Sequence, residues 1–169
     1  SLPRLRPGQL VGMTVTAKTL SEAIPLALEQ QMDMLLLDCT SGIMKPWAEL
    51  QAPPDLTVLR DAVALLRKLG QEEEIALINF GGMRSGTDAA KALAINCLAS
   101  IFSVGAGLAM GGVIEEERMI FPELPPVAAL TDAAENWVKA TSQEAAMIAR
   151  CTGKTSVHNL EPEDMRCIT

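Results

Sequence analysis

The residues best suited to chemistry lie between Glu74 and Gly112, in EIALINFGGMRSGTDAAKALAINCLASIFSVGAGLAMGG. Ile75–Phe80 is a short apolar run that Gly81 and Gly82 end abruptly. Thr87 and Asp88 then open a helix, with Ser85 or Thr87 as its N-cap. Ser100–Val104 is a second short run, broken by Gly105 and Gly107. Two βα units in succession, each with a glycine-rich turn after its strand, form a physical recipe for holding an anion. Glycine lets backbone N–H groups approach a ligand closely, and the next helix aims its unpaired N–H groups at the same spot. Arg84, between the glycines and the helix, is a candidate phosphate partner. The plain alternative is that tight βα turns need glycine with or without a ligand.

Other candidates are weaker. Gly105–Gly111 has GxGxxxG spacing, and no strand ending in an acid follows about 20 residues on, which argues against a dinucleotide fingerprint. GKTS at Gly153–Ser156 resembles the end of a P-loop, but Ile148 stands where the first glycine belongs and a helix precedes it. Lys18 follows the first strand and projects over the rim where βα folds place ligands; a solvated helix-start lysine is the competing reading. Asp38 ends a buried strand, either as a polar site group or as a cap for the loop through Thr40 or Ser41. His158 lies in the tail without a nucleophile or metal partner nearby in sequence.

These residues need elements to position them. Leu10–Ala17 reads as the first strand, Leu20–Gln31 as a helix with Pro25 an early irregularity, and Met32–Asp38 as a second strand. The last is a continuous apolar run, as in a parallel sheet buried on both faces. A loop containing SGIMKPW follows. Asp55–Leu69 is the clearest amphipathic helix: Leu56, Leu59, Ala62, Val63, Leu66 and Leu69 share a face, and Gly70 suits its C-terminal stop. Four βα units in series imply a parallel sheet with right-handed crossovers. That sheet is either a small open doubly wound one or half of an eight-stranded barrel, whose raw edges need completing. Residues 1–112 supply the βα units. Residues 113–169 supply a solvated charged patch at Glu115–Arg118, a proline-rich connector at Phe121–Val127, a terminal helix over Leu130–Thr152 and a short tail anchored by Leu160, all in the same domain.

Composition narrows the function classes. With three Phe, two Trp and no Tyr, the core must be aliphatic, which suits an α/β fold. A net charge of −7 argues against nucleic acid or anionic membrane as partner. It leaves room for a small phosphate in a local backbone nest. Cys39, Cys97, Cys151 and Cys167 form no CxxC, so no metal site is expected and reduced, cytoplasmic thiols are the default. Cys97 reads as a small core residue within a helix. The chain begins SLPRLRPGQL without Met and reads as a piece of a longer polypeptide.

Gly81–Ala89 (GGMRSGTDA), followed by a strand and SVGAGLAMGG, resembles the flavin-binding end of the glutamate synthase central barrel and its stand-alone relatives. The tail EAAMIARCTGKTSVHNLEPEDMRCIT is similar to the segment closing the domain in the stand-alone relatives. The resemblance implies an α/β fold of parallel βα units, half of a TIM-type (βα)8 barrel (strands five to eight) plus a C-terminal helix. It implies FMN, with Gly81, Gly82 and Arg84 from one turn and Gly105, Ala106 and Gly107 from the next around the phosphate. Lys18 is a loose match to the family's flavin-contacting lysine, and Lys18 and Asp38, from their places at strand ends, are the catalytic candidates. The resemblance implies flavin redox joined to amination of a 2-oxoacid, completed by the other half barrel or a partner subunit, or by self-association.

Two departures matter. The family's glycine-rich turn with a histidine is here Asp38-Cys39-Thr40-Ser41-Gly42. The family's three clustered cysteines after the last glycine turn are replaced by GGVIEEERMIFPELPP, so no Fe–S cluster is expected on this segment. They favour the alternative of a degenerate barrel half serving structure or assembly. An open-sheet protein binding another phosphorylated metabolite is a third reading.

Overall fold

Short apolar runs separated by amphipathic helices build the sheet. A computed structural model describes residues 6–40, 50 and 52–165. The elements are β1 (Gly12–Val15), α1 (Leu20–Glu29), β2 (Met34–Asp38), α2 (Thr57–Leu69), β3 (Ala76–Phe80), α3 (Gly86–Ala94), β4 (Ala99–Ile101) and α4 (Val104–Ala109). A hairpin follows, β5 (Val113–Glu115) and β6 (Arg118–Ile120), then a long helix α5 (Val127–Cys151) and two 3-10 turns. The expected loop at SGIMKPW lies outside the described residues.

The strand order is β1-β2-β3-β4, all parallel. Leu35 and Leu37 of β2 and Leu77 of β3 face the helices. They pack with Ile24 and Ala27 of α1 and with Leu59, Ala62 and Leu66 of α2 in one aliphatic core. The alternate residues Met34, Leu36, Asp38, Ala76, Ile78 and Phe80 face the other way and are half-buried. An open doubly wound sheet carries helices on both faces; here the described core lies on one. The architecture is that of half a βα barrel, whose inner face is the side away from the helices. This overturns the open-sheet reading.

Local chemistry explains most element ends. The apolar face of α2 is Val58, Leu59, Ala62, Val63 and Leu66, and Gly70 stops it in the left-handed region at φ 67°. Leu69, expected on that face, is 43% exposed in the last turn. Pro25 lies within α1 on its exposed side and does not interrupt it. Cys97 is buried as expected, but in the connection between α3 and β4, not in a helix.

Three expectations need correcting. The second glycine turn is a helix: Val104 opens α4, which shortens the preceding strand to Ala99–Ile101. The charged patch at Glu115–Arg118 is exposed as expected, but it is the tip of a hairpin, with Glu116 and Glu117 at φ 46° and 70°. The terminal helix begins at Val127, directly after Pro126. The Thr131 hydroxyl, expected near the helix start, donates back to the Val127 carbonyl from inside the first turns.

A second core joins α3 to the C-terminal segment. Ala90 and Ala94 pack on Ala145 and Ala149 of α5, and Leu160 is buried with them, as its anchoring role requires. Small residues let the two helices approach closely, most closely at Gly86.

Candidate functional site

The turn after β3 needs glycine twice. Gly81 and Gly82 adopt φ 85° and 74°, a region other L-residues rarely enter. Both are also crowded: a Cβ at Gly81 would strike Thr40, and one at Gly82 would lie 2.8 Å from the Pro54 backbone. Ser85 caps α3, its Oγ accepting from the Asp88 amide at 3.4 Å. Asp88, which is buried, accepts from the Arg84 amide at 3.1 Å. The Arg84 guanidinium donates to the Leu50 carbonyl at 3.3 Å and lies 3.8 Å from Asp88. Ser85 and Asp88 have capping-box spacing, so this arrangement was present in the sequence as Ser-x-x-Asp.

The pole of α3 is already occupied. Glu144, from α5, accepts from the Gly86 amide at 2.9 Å and from the Thr87 hydroxyl at 2.5 Å. The Thr87 hydroxyl above all, opposed by burial and helped by the Gly86 amide, holds the Glu144 carboxyl below its ordinary value of 4.5. The α3 terminus is therefore not open to an anion, and Asp88 takes the Arg84 amide as well, contrary to the simple picture of a strand, a turn and a free helix pole. Nothing near Glu144 in sequence signals this contact; it comes from the crossing of α3 and α5.

A pH prediction follows. A carboxylate with a lowered folded pKa contributes stability that is fully present above its unfolded pKa and lost as pH falls through the folded value. Glu144→Gln is expected to be less stable than wild type above pH 4.5, with the gap closing below it. Urea unfolding across that range measures it; a gap independent of pH would remove the carboxylate's charge from the explanation.

In α4, the first intrahelical bond runs from the Gly107 amide to the Ser103 carbonyl. The amides of Val104, Gly105 and Ala106 precede it, as in any first turn. The two glycines have packing reasons: a Cβ at Gly105 would meet Trp137 at 2.9 Å, and one at Gly107 would strike Met119 of the hairpin. The structure nevertheless brings the two segments together. The Cβ position of Gly105 lies 3.8 Å from the Arg84 carbonyl oxygen. Arg84 and Gly105 thus stand side by side at the C-terminal rim of β3 and β4; Gly81 and Gly82 pack instead against Thr40 and Pro54, and Gly107 against Met119.

Asp38 and Lys18 lie on the same rim, farther along. Asp38 Oδ1 accepts from the Thr40 amide at 2.8 Å and the Thr40 hydroxyl at 2.6 Å, a local turn of the kind the loop-capping reading describes. Lys18 is exposed in the turn after β1. Three strand spacings, about 14 Å, separate β1 from β4. His158 is exposed on the opposite side, beside a groove of about 390 Å³ at the N-terminal end of β3 shared with Glu72, Ile75 and Asn96. That end of a βα barrel serves stability more than chemistry.

Among the described residues, no group of three or more His, Cys, Asp or Glu side chains is placed to hold a metal ion. None of the described helices is long and apolar enough to cross a membrane.

No protein-family model matches the sequence. The chain is 31% identical, over 85% of its length, to a glutamate synthase large subunit-like protein of Rhizobium meliloti (strain 1021). The chain resembles that glutamate synthase-like protein over the matched stretch. It spans 40% of that relative's length. Among solved structures, the recombinant flavin-binding domain of baker's yeast flavocytochrome b2 superposes with a TM-score of 0.64 at 18% identity, covering 89% of this chain and 33% of that one. A mandelate oxidase variant with 2-hydroxy-phenylacetamide gives 0.60 at 16% identity, covering 92% and 38%. At such identity these likenesses speak for the fold alone, and that fold is half of a TIM-type barrel.

Proposed function

We propose that this chain is the FMN-phosphate-binding half of a glutamate synthase-like flavin oxidoreductase, acting in reductive amination of a 2-oxoacid and completed by an N-terminal half barrel. One observation carries the reading: the Gly81–Arg84 turn and the first turn of α4 meet at the rim after two adjacent parallel strands. Barrels of this type place phosphate there. The residues fit an anion through backbone amides of the glycine turn and the Arg84 charge. FMN, when bound, supplies the hydride and electron transfer. Arg84 would neutralise phosphate charge, the glycines would let backbone amides approach it, and Lys18 and Asp38 would serve the reacting end. The relative's greater length and the half-buried apolar face away from the helices support a missing half barrel as partner. Free thiols at Cys39 and Cys97 support a reducing, cytoplasmic setting.

A non-catalytic assembly role is the second reading. Glu144 and Asp88 already engage the groups at the start of α3, which favours it. Comparing FMN with riboflavin decides between the two, because riboflavin lacks the phosphate. The full chain is expected to bind FMN, and Arg84→Gln to weaken FMN by about tenfold while leaving riboflavin unchanged, as for loss of one charge-assisted contact. Visible absorbance and fluorescence titration measure both. A folded chain that binds neither flavin supports the assembly reading.

A further inference from the structure

Asn79 is an amide in an aliphatic layer. It sits next to last in β3, on the helix-covered face, with no exposed surface. In register it lies between Leu37 of β2 and Ser100 of β4. Burying an amide there is unfavourable unless its polar atoms are satisfied. Nδ2 donates to Met83 Sδ at 2.9 Å. Oδ1 accepts from the Ser100 hydroxyl at 2.7 Å. The Cys97 thiol, with one proton to give, has Oδ1 at 3.2 Å, the Ala99 carbonyl at 2.9 Å and the Leu77 carbonyl at 3.3 Å within reach. The buried Cys39 thiol follows β2 on the same side of the sheet. Burial, then Cys97, pushes Cys39 up to about 12, so it stays neutral at pH 7.

One side chain of β3 thus touches both the turn after its own strand and the neighbouring strand β4. Met83 lies inside the glycine turn between Gly82 and Arg84. Ser100 sits in β4, just before the Ser103 that starts α4. An apolar side chain of similar volume would fill the space but would have no preferred direction toward either neighbour. The amide has one: its donor goes to the turn and its acceptor to β4.

We propose that Asn79 is the positioning residue of the anion site, locking the Gly81–Arg84 turn to the β4–α4 junction so that the two segments keep one fixed spacing. The inference rests on the phosphate-binding reading for its purpose, but the coupling it asserts is measurable without flavin.

The test is amide hydrogen exchange on the full chain, with wild type compared with Asn79→Leu and Ser100→Ala. Asn79→Leu is expected to speed exchange about tenfold in both Gly81–Arg84 and Ser103–Gly107, leaving α1 and α2 unchanged, as for local opening after loss of one buried hydrogen bond. Ser100→Ala cuts only the link to β4 and is expected to speed exchange in Ser103–Gly107; it decides the question if Asn79→Leu does not fold. Acceleration spread evenly over α1 and α2, or none at Ser103–Gly107 in Ser100→Ala, overturns the proposal. In wild-type background the FMN-to-riboflavin affinity ratio is the reference, and Ser100→Ala is expected to lower it. A wild-type chain that binds no flavin would overturn the proposed function, and the exchange pattern would still judge the positioning role.

Discussion

Gly86→Ala is expected to lower the unfolding free energy by about 3 kcal/mol, the upper end of what one added methyl does in a packed interior. Gly86 is the first residue of α3, and α5 crosses it. A Cβ there would lie 2.1 Å from the Thr141 carbonyl oxygen and 2.7 Å from the Ala145 amide. Both are helix backbone, which cannot swing aside as the end of a side chain can. Helix propensity acts in the opposite direction, since alanine is better than glycine in a helix by up to about 1 kcal/mol. The sign is therefore set by the clash. Relief requires α5 to lift from α3, which breaks the Glu144 bonds to Gly86 and Thr87 and opens the alanine contacts at Ala145 and Ala149. For a chain of this size, about 3 kcal/mol corresponds to a melting temperature lower by roughly 9 °C. Urea unfolding at fixed protein concentration measures it. A midpoint equal to wild type or higher would mean that α5 does not cross α3 here.

The contrast between α2 and α4 shows which parts of the fold were legible in sequence. The apolar spacing of α2, its Gly70 stop and the continuous runs of β2 and β3 are local signals, and they place those elements to within two residues. In Gly105-Ala106-Gly107 the local signal points the wrong way. Two glycines in three residues disfavour a helix, yet Trp137 and Met119 need those surfaces bare, and tertiary packing outweighs propensity. The hairpin tip was hidden for a related reason. A two-residue turn with both φ values positive usually announces itself with Asn or Gly, and here it is Glu116-Glu117. At the site, the glycines and Arg84 could be read from the chain in order. Glu144 could not, because it reaches the turn across a helix crossing 57 residues away from Thr87. Asn79 was equally silent: inside IALINF it reads as one polar residue in a strand, and only the register with Ser100 gives it work.

Ile101→Asp is expected to leave the isolated chain nearly unchanged and to abolish the proposed assembly with an N-terminal half barrel. Ile101 closes β4, on the edge of the sheet, and is 41% exposed on the face away from the helices. In register it stands beside Phe80, and Phe80 beside Asp38, on the face of the sheet away from the helices. Without a partner, an aspartate at this position stays in water, and a substitution at an exposed site shifts stability by about 0.5 kcal/mol or less. With β4 paired to another strand and its inner face covered, the same carboxylate would be buried without a counter-charge. That costs several kcal/mol, enough to reverse a moderate affinity. Co-expression with the preceding half of the longer relative, followed by size-exclusion chromatography, reads the outcome. Loss of the complex with an unchanged melting temperature for the chain alone locates the docking face on the inner side of the sheet. Assembly that survives the substitution would move that face to the exposed side of α5, where Val138 and Met147 are 60% and 51% exposed.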